Sequence, residues 1–476
     1  MFWGRSKRGA LAYIREKVLK KIEGWKQCIL SLAGKEVLIK AIATAVPTYP
    51  MMCFLFPKAT CSDICSDLAK FWWGKPDSAS KIHWKSWKAL SLAKSEGGLG
   101  FRDLFDFNLA LLAKQSWRIL NNPHALWVKL LKARCFPDCD FKDAALGHRP
   151  SWIWRSLLAG RDTVMNNARR QIMNGESTNI WADNWVPEVG IITPLVPIPI
   201  NAPQLVSEII DVRSGSWNLD SVASYLSWET KRRILAIPVG ASRHHDRVIW
   251  PWTSNGLYSV RSGYHVLHST HRALAMGNSH SSHIIPIQFT EIRRVPSDDV
   301  AANNILNVLL ASWNAPSGDF VKINVDGGWI GDTAKGGVGV VIRNTDGQFV
   351  GGLAGPICCD SALAAEAHSA IKGLALSANL GFRDVIVETD SKLLINGING
   401  DFRNKVWSIM PLLEELHRIC GSMHEVRWSW VHRDLNRAAH EAAMIGVRAM
   451  ELESWVSRPP LSLVHVLVSD GLPCPP

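Results

Sequence analysis

The sequence predicts an α/β fold over residues 318–450, a mixed five-stranded sheet with flanking helices, preceded by a mainly helical region. Three observations predict it. Apolar residues alternate with a period of two in 320–325 and 425–431, Val385-Ile386-Val387 form an apolar run within 384–389, and 336–343 and 348–353 read as strands paired across a turn. Stretches with apolar residues three and four apart fill 361–380, 391–398, 406–419 and 435–447, so helices separate the later strands. Before residue 120 the same helical spacing recurs, with no comparable strand pattern.

Taken in order, residues 8–46 read as two helices joined near Gly34. Leu11, Ile14, Val18, Leu19 and Ile22 recur at helical spacing, and Leu38, Ile39, Ile42 and Val46 do so again before Pro47 stops the pattern. A third helix is expected from Ser62 to Trp73. Another follows the break Glu96-Gly-Gly-Leu-Gly100, with Leu104, Phe107, Leu111, Leu112 and Trp117 as its apolar positions. Residues 191–245 are rich in Pro and isolated apolar residues, with one helical candidate from Val222 to Ile234, and read as a connector. In the C-terminal unit the second and third strands form a hairpin across Asn344-Thr-Asp-Gly347, a composition that favours a tight turn. The helix from Ser361 ends at Gly381, and residues 451–476 read as a tail.

At 476 residues the chain is too long for one ordinary domain, and 47% hydrophobic with 20% charged content leaves room for a sizeable core. No apolar run reaches the roughly 18 residues of a membrane-spanning helix, and Met1 to Arg8 lack a signal-peptide apolar region. The expectation is an intracellular protein with no membrane partner, with nucleus and cytoplasm both open and protein partners open too. The net charge of +11 is unevenly placed: residues 1–317 hold 39 Lys+Arg against 24 Asp+Glu, and 16 of the 22 tryptophans lie at or before Trp252. Such a surface suits a nucleic-acid partner, because cations displace counterions from phosphates and rings stack on bases. Each tryptophan taken singly reads more simply as core. Cys61/Cys65 and Cys135/Cys139 share one spacing, yet neither has a second pair to complete a tetrahedral site, so reduced core thiols are expected.

Three carboxylates stand in strand, helix, strand order. Asp326 follows Lys322-Ile-Asn-Val and precedes Gly327 and Gly328. Glu366 lies in the alanine-rich helix, and Asp390 ends the run from Val385. Breaking a phosphodiester needs an activated water and a stabilised leaving oxygen, which two divalent ions about 3.5 to 4 Å apart supply. Mg(II) prefers oxygen ligands, so clustered Asp and Glu are an appropriate set, and crowded carboxylates repel one another until cations bind. Asp390 also suits the N-cap of the helix after it. Glu366 read alone is an exposed helix residue, although a carboxylate in an alanine-rich stretch packs poorly unless something cationic meets it.

Several separate motifs carry a resemblance. Leu32-Ala-Gly-Lys-Glu-Val-Leu-Ile-Lys-Ala, Phe71-Trp-Trp-Gly, Glu96-Gly-Gly-Leu-Gly-Phe-Arg-Asp-Leu, Arg149-Pro-Ser-Trp-Ile-Trp-Arg-Ser and Ile180-Trp-Ala-Asp-Asn-Trp-Val-Pro resemble, over roughly 10–190, the segment after the polymerase core in plant non-LTR (LINE-type) retrotransposon proteins. The Tyr-x-Asp-Asp turn of that polymerase is missing, the one Asp-Asp being Asp298-Asp299, so polymerase activity is not expected. Asp246-Arg-Val-Ile-Trp250-Pro-Trp252 with Gly256 to Tyr264 resembles the opening of the zinc-binding module of the same elements, over 246–268. Cysteine and histidine ligands follow in that family. Here His265, His268, His271, His280 and His283 follow with no nearby cysteine, and 269–317 reads as a Ser/His-rich linker, so no zinc is expected.

Residues 318–450 resemble ribonuclease H, most closely the plant reverse-transcriptase-like form. The resemblance rests on Asn324-Val-Asp-Gly-Gly, Gly336-Gly-Val-Gly-Val-Val-Ile-Arg-Asn, Ala364-Ala-Glu-Ala, Val387-Glu-Thr-Asp-Ser391 and Asn436-Arg-Ala-Ala-His440. It implies metal-dependent hydrolysis of the RNA strand of an RNA/DNA hybrid with two Mg(II) or Mn(II) ions. Asp326 would bridge both ions, Glu366 and Asp390 would hold the ion on the leaving-group side, and His440 would stand as fourth catalytic ligand where the family often has Asp. An imidazole is softer, brings no negative charge and suits Mn(II) better; Glu441 lies about 100° further round the helix and does not substitute simply. The resemblance also implies contacts to the nucleic acid from Asn324, Gly327, Gly328, Asn436 and Arg437, and a product-release role for His432. The alternative is a catalytically weak or inactive nucleic-acid-binding retroelement relic, which His440 and the missing polymerase and zinc parts favour.

Overall fold

A computed structural model describes residues 7–24, 30–74, 83–211, 216–239, 244–275, 313–331, 333–400, 406–456 and 458–470. They fall into two compact units, one drawn from 1–168, 250–253 and 257–286, the other from 169–249, 254–256 and 287–476. Among the described residues no helix is long and apolar enough to cross a membrane.

The first unit is built from helices α1 (Lys7–Glu23), α2 (Lys58–Trp73), α3 (Leu104–Asn121), α4 (Leu126–Cys135), α5 (Trp152–Met165) and α6 (Val260–Ala275). Leu11, Ile14 and Val18 of α1 bury against Ile64 and Leu68 of α2 and Leu104 of α3, the stripe that the helical spacing predicts. Gly34 is not a joint. It lies inside the short helix Leu32–Leu38, where its N–H donates to the Ser31 cap; residues 25–29, before that cap, lie outside the described residues. Asp103 caps α3 by accepting from the N–H groups of Phe105 and Asp106.

The expected histidine-rich linker begins instead as α6. His280 and His283 lie outside the described residues, but His268 and His271 sit on α6 with Nδ1 atoms 2.9 and 2.6 Å from the two oxygens of buried Asp106. Burial pushes the Asp106 carboxyl up, and hydrogen bonds from both histidines outweigh this and leave it below the usual carboxylate range. Asp106 in turn holds His271 above the usual imidazole value. The Asp106 contribution to stability is therefore present above the ordinary carboxylate value, about 3.9, and lost as pH falls through its lowered one; that of His271 is present below about 6.5 and lost as pH rises through its raised one. Melting temperatures of the full chain should peak between these limits. His271→Gln should flatten the alkaline side of the profile, and an unchanged alkaline side would refute the coupling.

In the second unit, residues 169–249 do not behave as a loose connector. Ile172, Ile180, Trp185, Val206, Val222 and Ile234 form a buried cluster. A 3-10 turn (Asp220–Tyr225) and a helix (Trp228–Leu235) replace the single helix expected from Val222 to Ile234. Buried Asp246 accepts from the Met173 N–H at 2.7 Å, the Gly175 N–H at 2.9 Å and the Thr178 hydroxyl at 2.7 Å, so one carboxylate supplies partners that a regular ladder would otherwise provide. The cluster comes from loops, which leave no period in the sequence.

The rest of this unit is the predicted sheet: β1 (Val321–Ile330), β2 (Lys335–Arg343), β3 (Phe349–Cys358), α7 (Ala362–Asn379), β4 (Asp384–Thr389), α8 (Lys392–Asn399), α9 (Met410–Cys420), β5 (Glu425–Trp430), α10 (Arg437–Arg448), β6 (Glu453–Trp455) and α11 (Leu461–Ser469). Strand order is β6-β3-β2-β1-β4-β5. The β1–β2 and β2–β3 pairs are antiparallel, while β4 lies parallel to both β1 and β5. Five strands match the predicted set; β6 is a sixth, pairing antiparallel with β3. The supposed tail thus contributes an edge strand and a helix, α11, whose Leu463 and Leu467 pack on Ala438 and Ala442.

Helices cover both faces of β1, and its period of two sorts its residues between them. Ile323 and Val325 face α7, where Gly373 lies so close that a Cβ would stand 3.0 Å from each. On the other face α10 approaches the sheet through Gly339, where a Cβ would sit 2.2 Å from the Ala443 nitrogen. The alanine-rich composition of both helices allows this closeness, and it brings their polar residues within reach of β1.

Candidate active site

Asp326 stands where β1 stops being fully buried, opposite Gly339 on β2, and is itself 6% exposed. Glu366 is in the second turn of α7 and Asp390 directly follows β4, the parallel neighbour of β1. One oxygen from each carboxylate can be chosen so that all three lie within 4.8 Å of one another. Gly327 makes this possible. A Cβ there would lie 2.3 Å from the Ala365 carbonyl carbon and from the Glu366 nitrogen, so its absence lets the backbone of α7 touch β1 and deliver Glu366 beside Asp326.

The cluster is electrostatically strained. Burial, then the charges of Asp326 and Asp390, push the Glu366 carboxyl well above its ordinary range. Burial and Asp326 push Asp390 up as well, against the opposing pull of Arg433 and Asn436. Asp390 Oδ1 is buried without a hydrogen-bond partner. Oxygen donors, mutual repulsion and an orphaned buried oxygen together fit one or more hard divalent cations. Ser391, not Asp390, caps α8, its hydroxyl accepting from the Leu394 N–H. The capping role considered for Asp390 therefore falls away, and its carboxylate belongs to the cluster.

His440 approaches from α10 and does not join the three carboxylates as a fourth member. Its Nδ1 is 2.7 Å from Asp326 Oδ2 and its Nε2 is 3.2 Å from an Arg433 Nη2. A guanidinium only donates and a carboxylate only accepts, so this arrangement assigns the ring hydrogen to Nδ1 and the lone pair to Nε2, facing Arg433. Neither nitrogen is free to meet a cation without rearrangement.

The residues expected to touch nucleic acid are placed otherwise. Asn324 is fully buried and Asn436 is 1% exposed, so neither reaches a ligand at the surface. Both belong to a hydrogen-bonded network beneath the carboxylates: Asn324 Nδ2 donates to Glu388 Oε2 at 2.9 Å and to Asn436 Oδ1 at 3.2 Å, and Asn436 Nδ2 donates to the Val325 carbonyl at 2.9 Å. Gly327 serves the approach of α7 and Gly328 that of α10, since a Cβ at Gly328 would lie 2.6 Å from Val447 Cγ2. Arg437 is exposed but reaches Asp470 Oδ1 at 3.3 Å. His432 is exposed and its Nδ1 accepts from the Asp434 N–H, capping the 3-10 turn Arg433–Leu435. Sequence reasoning missed the buried charges Arg343 and Glu388, for which a charged residue at an inward strand position was the available signal, and Asp470, at the end of a helix in the supposed tail, for which there was none.

The description "Reverse transcriptase-like" belongs to the family model that matches residues 324–445, a span that contains all three carboxylates and His440. The chain carries a reverse transcriptase-like domain in its C-terminal part. An Arabidopsis thaliana protein named "Uncharacterized mitochondrial protein" is 42% identical over 155 residues, 32% of this chain and 99% of that protein. A second, named "Putative ribonuclease H protein", is 27% identical over 273 residues, 55% of this chain; the chain spans only 43% of its length. Among solved structures, the N-terminal RNase H domain of a Mycobacterium tuberculosis protein matches 28% of this chain and 95% of its own with 24% identity and a TM-score of 0.26. The reverse transcriptase-like domain is thus the part of the chain that holds the candidate site.

Proposed function

We propose that the reverse transcriptase-like domain is a metal-dependent ribonuclease that hydrolyses the RNA strand of an RNA/DNA hybrid. The observation that carries this is the meeting of Asp326, Glu366 and Asp390, from strand, helix and strand, with donor oxygens within 4.8 Å. The second Arabidopsis relative, named for ribonuclease H, supports the same chemistry. Asp326, Glu366 and Asp390 would hold Mg(II) or Mn(II), which when bound supplies a Lewis acid for the phosphate and an activated water. The protein's own residues do the rest. Asp326 is oriented by the Gly327 N–H on Oδ1 at 2.8 Å and by His440 on Oδ2. Glu366 is braced by the Thr389 hydroxyl at 3.4 Å. The RNA strand is the natural target of the reading because its 2'-hydroxyl distinguishes it from DNA. The basic surplus before residue 318 would add sequence-independent affinity.

One observation favours the second reading, a nucleic-acid-binding relic that cuts slowly or not at all. His440 occupies Asp326 Oδ2 with a hydrogen bond where a further acidic ligand would strengthen cation binding. The test is cleavage of an end-labelled hybrid by the full chain in Mg(II) and in Mn(II), with calorimetric titration of each ion. Cutting of the RNA strand is expected, faster in Mn(II), and His440→Asp should raise the Mg(II) rate roughly tenfold, the lower end of what changes around a ligand shell produce. Hybrid binding without ion binding or cutting, in wild type and His440→Asp alike, would establish the relic instead.

A further inference from the structure

We propose that Asp470, beyond the matched span of the domain, is a positioning residue for the carboxylate site, acting through the buried chain Arg343, Asn324 and Asn436. The inference rests on the reading of that site given above. Arg343 ends β2 and is 0% exposed. Its Nη1 donates to Asp470 Oδ2 at 3.0 Å, its Nη2 donates to Asn324 Oδ1 at 2.9 Å, and its guanidinium lies 3.7 Å from the Trp313 ring centre. Asp470 follows α11 and is brought there by Leu463 and Leu467, buried against α10 and Val341 of β2.

The chain transmits a choice of hydrogen-bond direction. Asn324 Oδ1 receives the Trp313 indole N–H at 3.0 Å as well as Arg343, and both of these groups can only donate. The carboxamide of Asn324 can therefore face only one way. Its Nδ2 must point towards Glu388 and Asn436, so Asn436 must present its oxygen to Asn324 and its Nδ2 elsewhere. That Nδ2 serves the Val325 carbonyl, at the strand residue directly before Asp326. Turned over, Asn436 would show an oxygen to the Val325 carbonyl, beside Asp326. Asp470 neutralises the cation that forbids this, because an unpaired buried guanidinium would swing out towards water.

The test uses the full chain with Asp470→Asn and with the double variant Arg343→Met, Asp470→Leu. The double variant replaces a buried ion pair by apolar side chains, so it should recover the melting temperature while leaving Asn324 without its Arg343 donor. Two quantities are read: hydrogen exchange of the Asn436 side-chain amide by NMR, and Mn(II) affinity by calorimetry. Expected is at least a tenfold loss of Asn436 amide protection in both variants, and Mn(II) affinity lower by roughly tenfold, as for residues that orient ligands. Wild-type protection and affinity in both variants would overturn the proposal, as would losses in Asp470→Asn that vanish in the double variant along with its lost stability. If wild type binds no Mn(II), the nuclease reading fails by itself; the amide exchange still decides the relay.

Discussion

Asp326→Asn is expected to abolish cleavage of the hybrid while leaving the fold intact. Asn matches Asp in shape, and its Oδ1 can still accept from the Gly327 N–H. What disappears is the charge on the one carboxylate that lies beside both Glu366 and Asp390 and also holds His440. Charge stabilisation by a bound divalent ion is worth several kcal/mol, and about 1.4 kcal/mol corresponds to a factor of ten in rate. The loss should therefore be on the order of 10³-fold or more. The metal-free variant should melt no lower than wild type, since one of three repelling charges is gone. Addition of Mn(II) should raise the wild-type melting temperature by mass action and should fail to raise that of the variant. A variant that still cuts at wild-type speed would remove Asp326 from the chemistry.

Gly327→Ala should unfold or severely weaken the C-terminal unit. The added Cβ would stand 2.3 Å from two backbone atoms of α7, the Ala365 carbonyl carbon and the Glu366 nitrogen, and neither can move aside as a side-chain tip would. Overpacking of this kind costs about 1–3 kcal/mol, and a clash with helix backbone belongs at the upper end, a large share of a total stability of about 5–15 kcal/mol. Any surviving folded protein would carry Glu366 pushed away from Asp326, with weaker ion binding. Urea unfolding monitored beside hybrid binding separates this from the role first read into the glycine pair. If Gly327 served close approach of nucleic acid, alanine would weaken hybrid binding at unchanged stability.

The five main strands and their helices were legible because the strands are short apolar stretches broken by turn residues, whereas the helices carry apolar residues three and four apart; β1 and β2, covered on both faces, still read as strands by their length and their turns. The three carboxylates were legible for a different reason: acidic residues at the ends of two strands and in an alanine-rich helix are poor choices for packing. Misreadings followed where burial leaves no period. Asn324 and Asn436 were read as nucleic-acid contacts from the resemblance alone, whereas here each carboxamide is engaged by buried donors and acceptors. The cluster within 169–249 uses single apolar residues from loops, held together by hydrogen bonds to Asp246, and no window of sequence displays that. His440 was read as a fourth ligand; it lies instead in a hydrogen bond to Asp326, and the direction of its hydrogen bonds depends on Arg433, seven residues earlier, which sequence spacing could not reveal.

The edge strand β6 and helix α11 also bear on how such a gene decays. A premature stop shortly after residue 450 would leave every motif residue in place, from Asp326 to His440, and would delete Asp470. Arg343 would then be a buried cation with no counter-charge, at a cost of about 3–5 kcal/mol, and the face of α10 that α11 covers would lie open to water. Chains truncated in this way would keep every residue of the candidate site while populating unfolded protein. Loss of residues 451–476 would therefore undo the C-terminal unit while leaving no trace in the residues by which the domain is recognised.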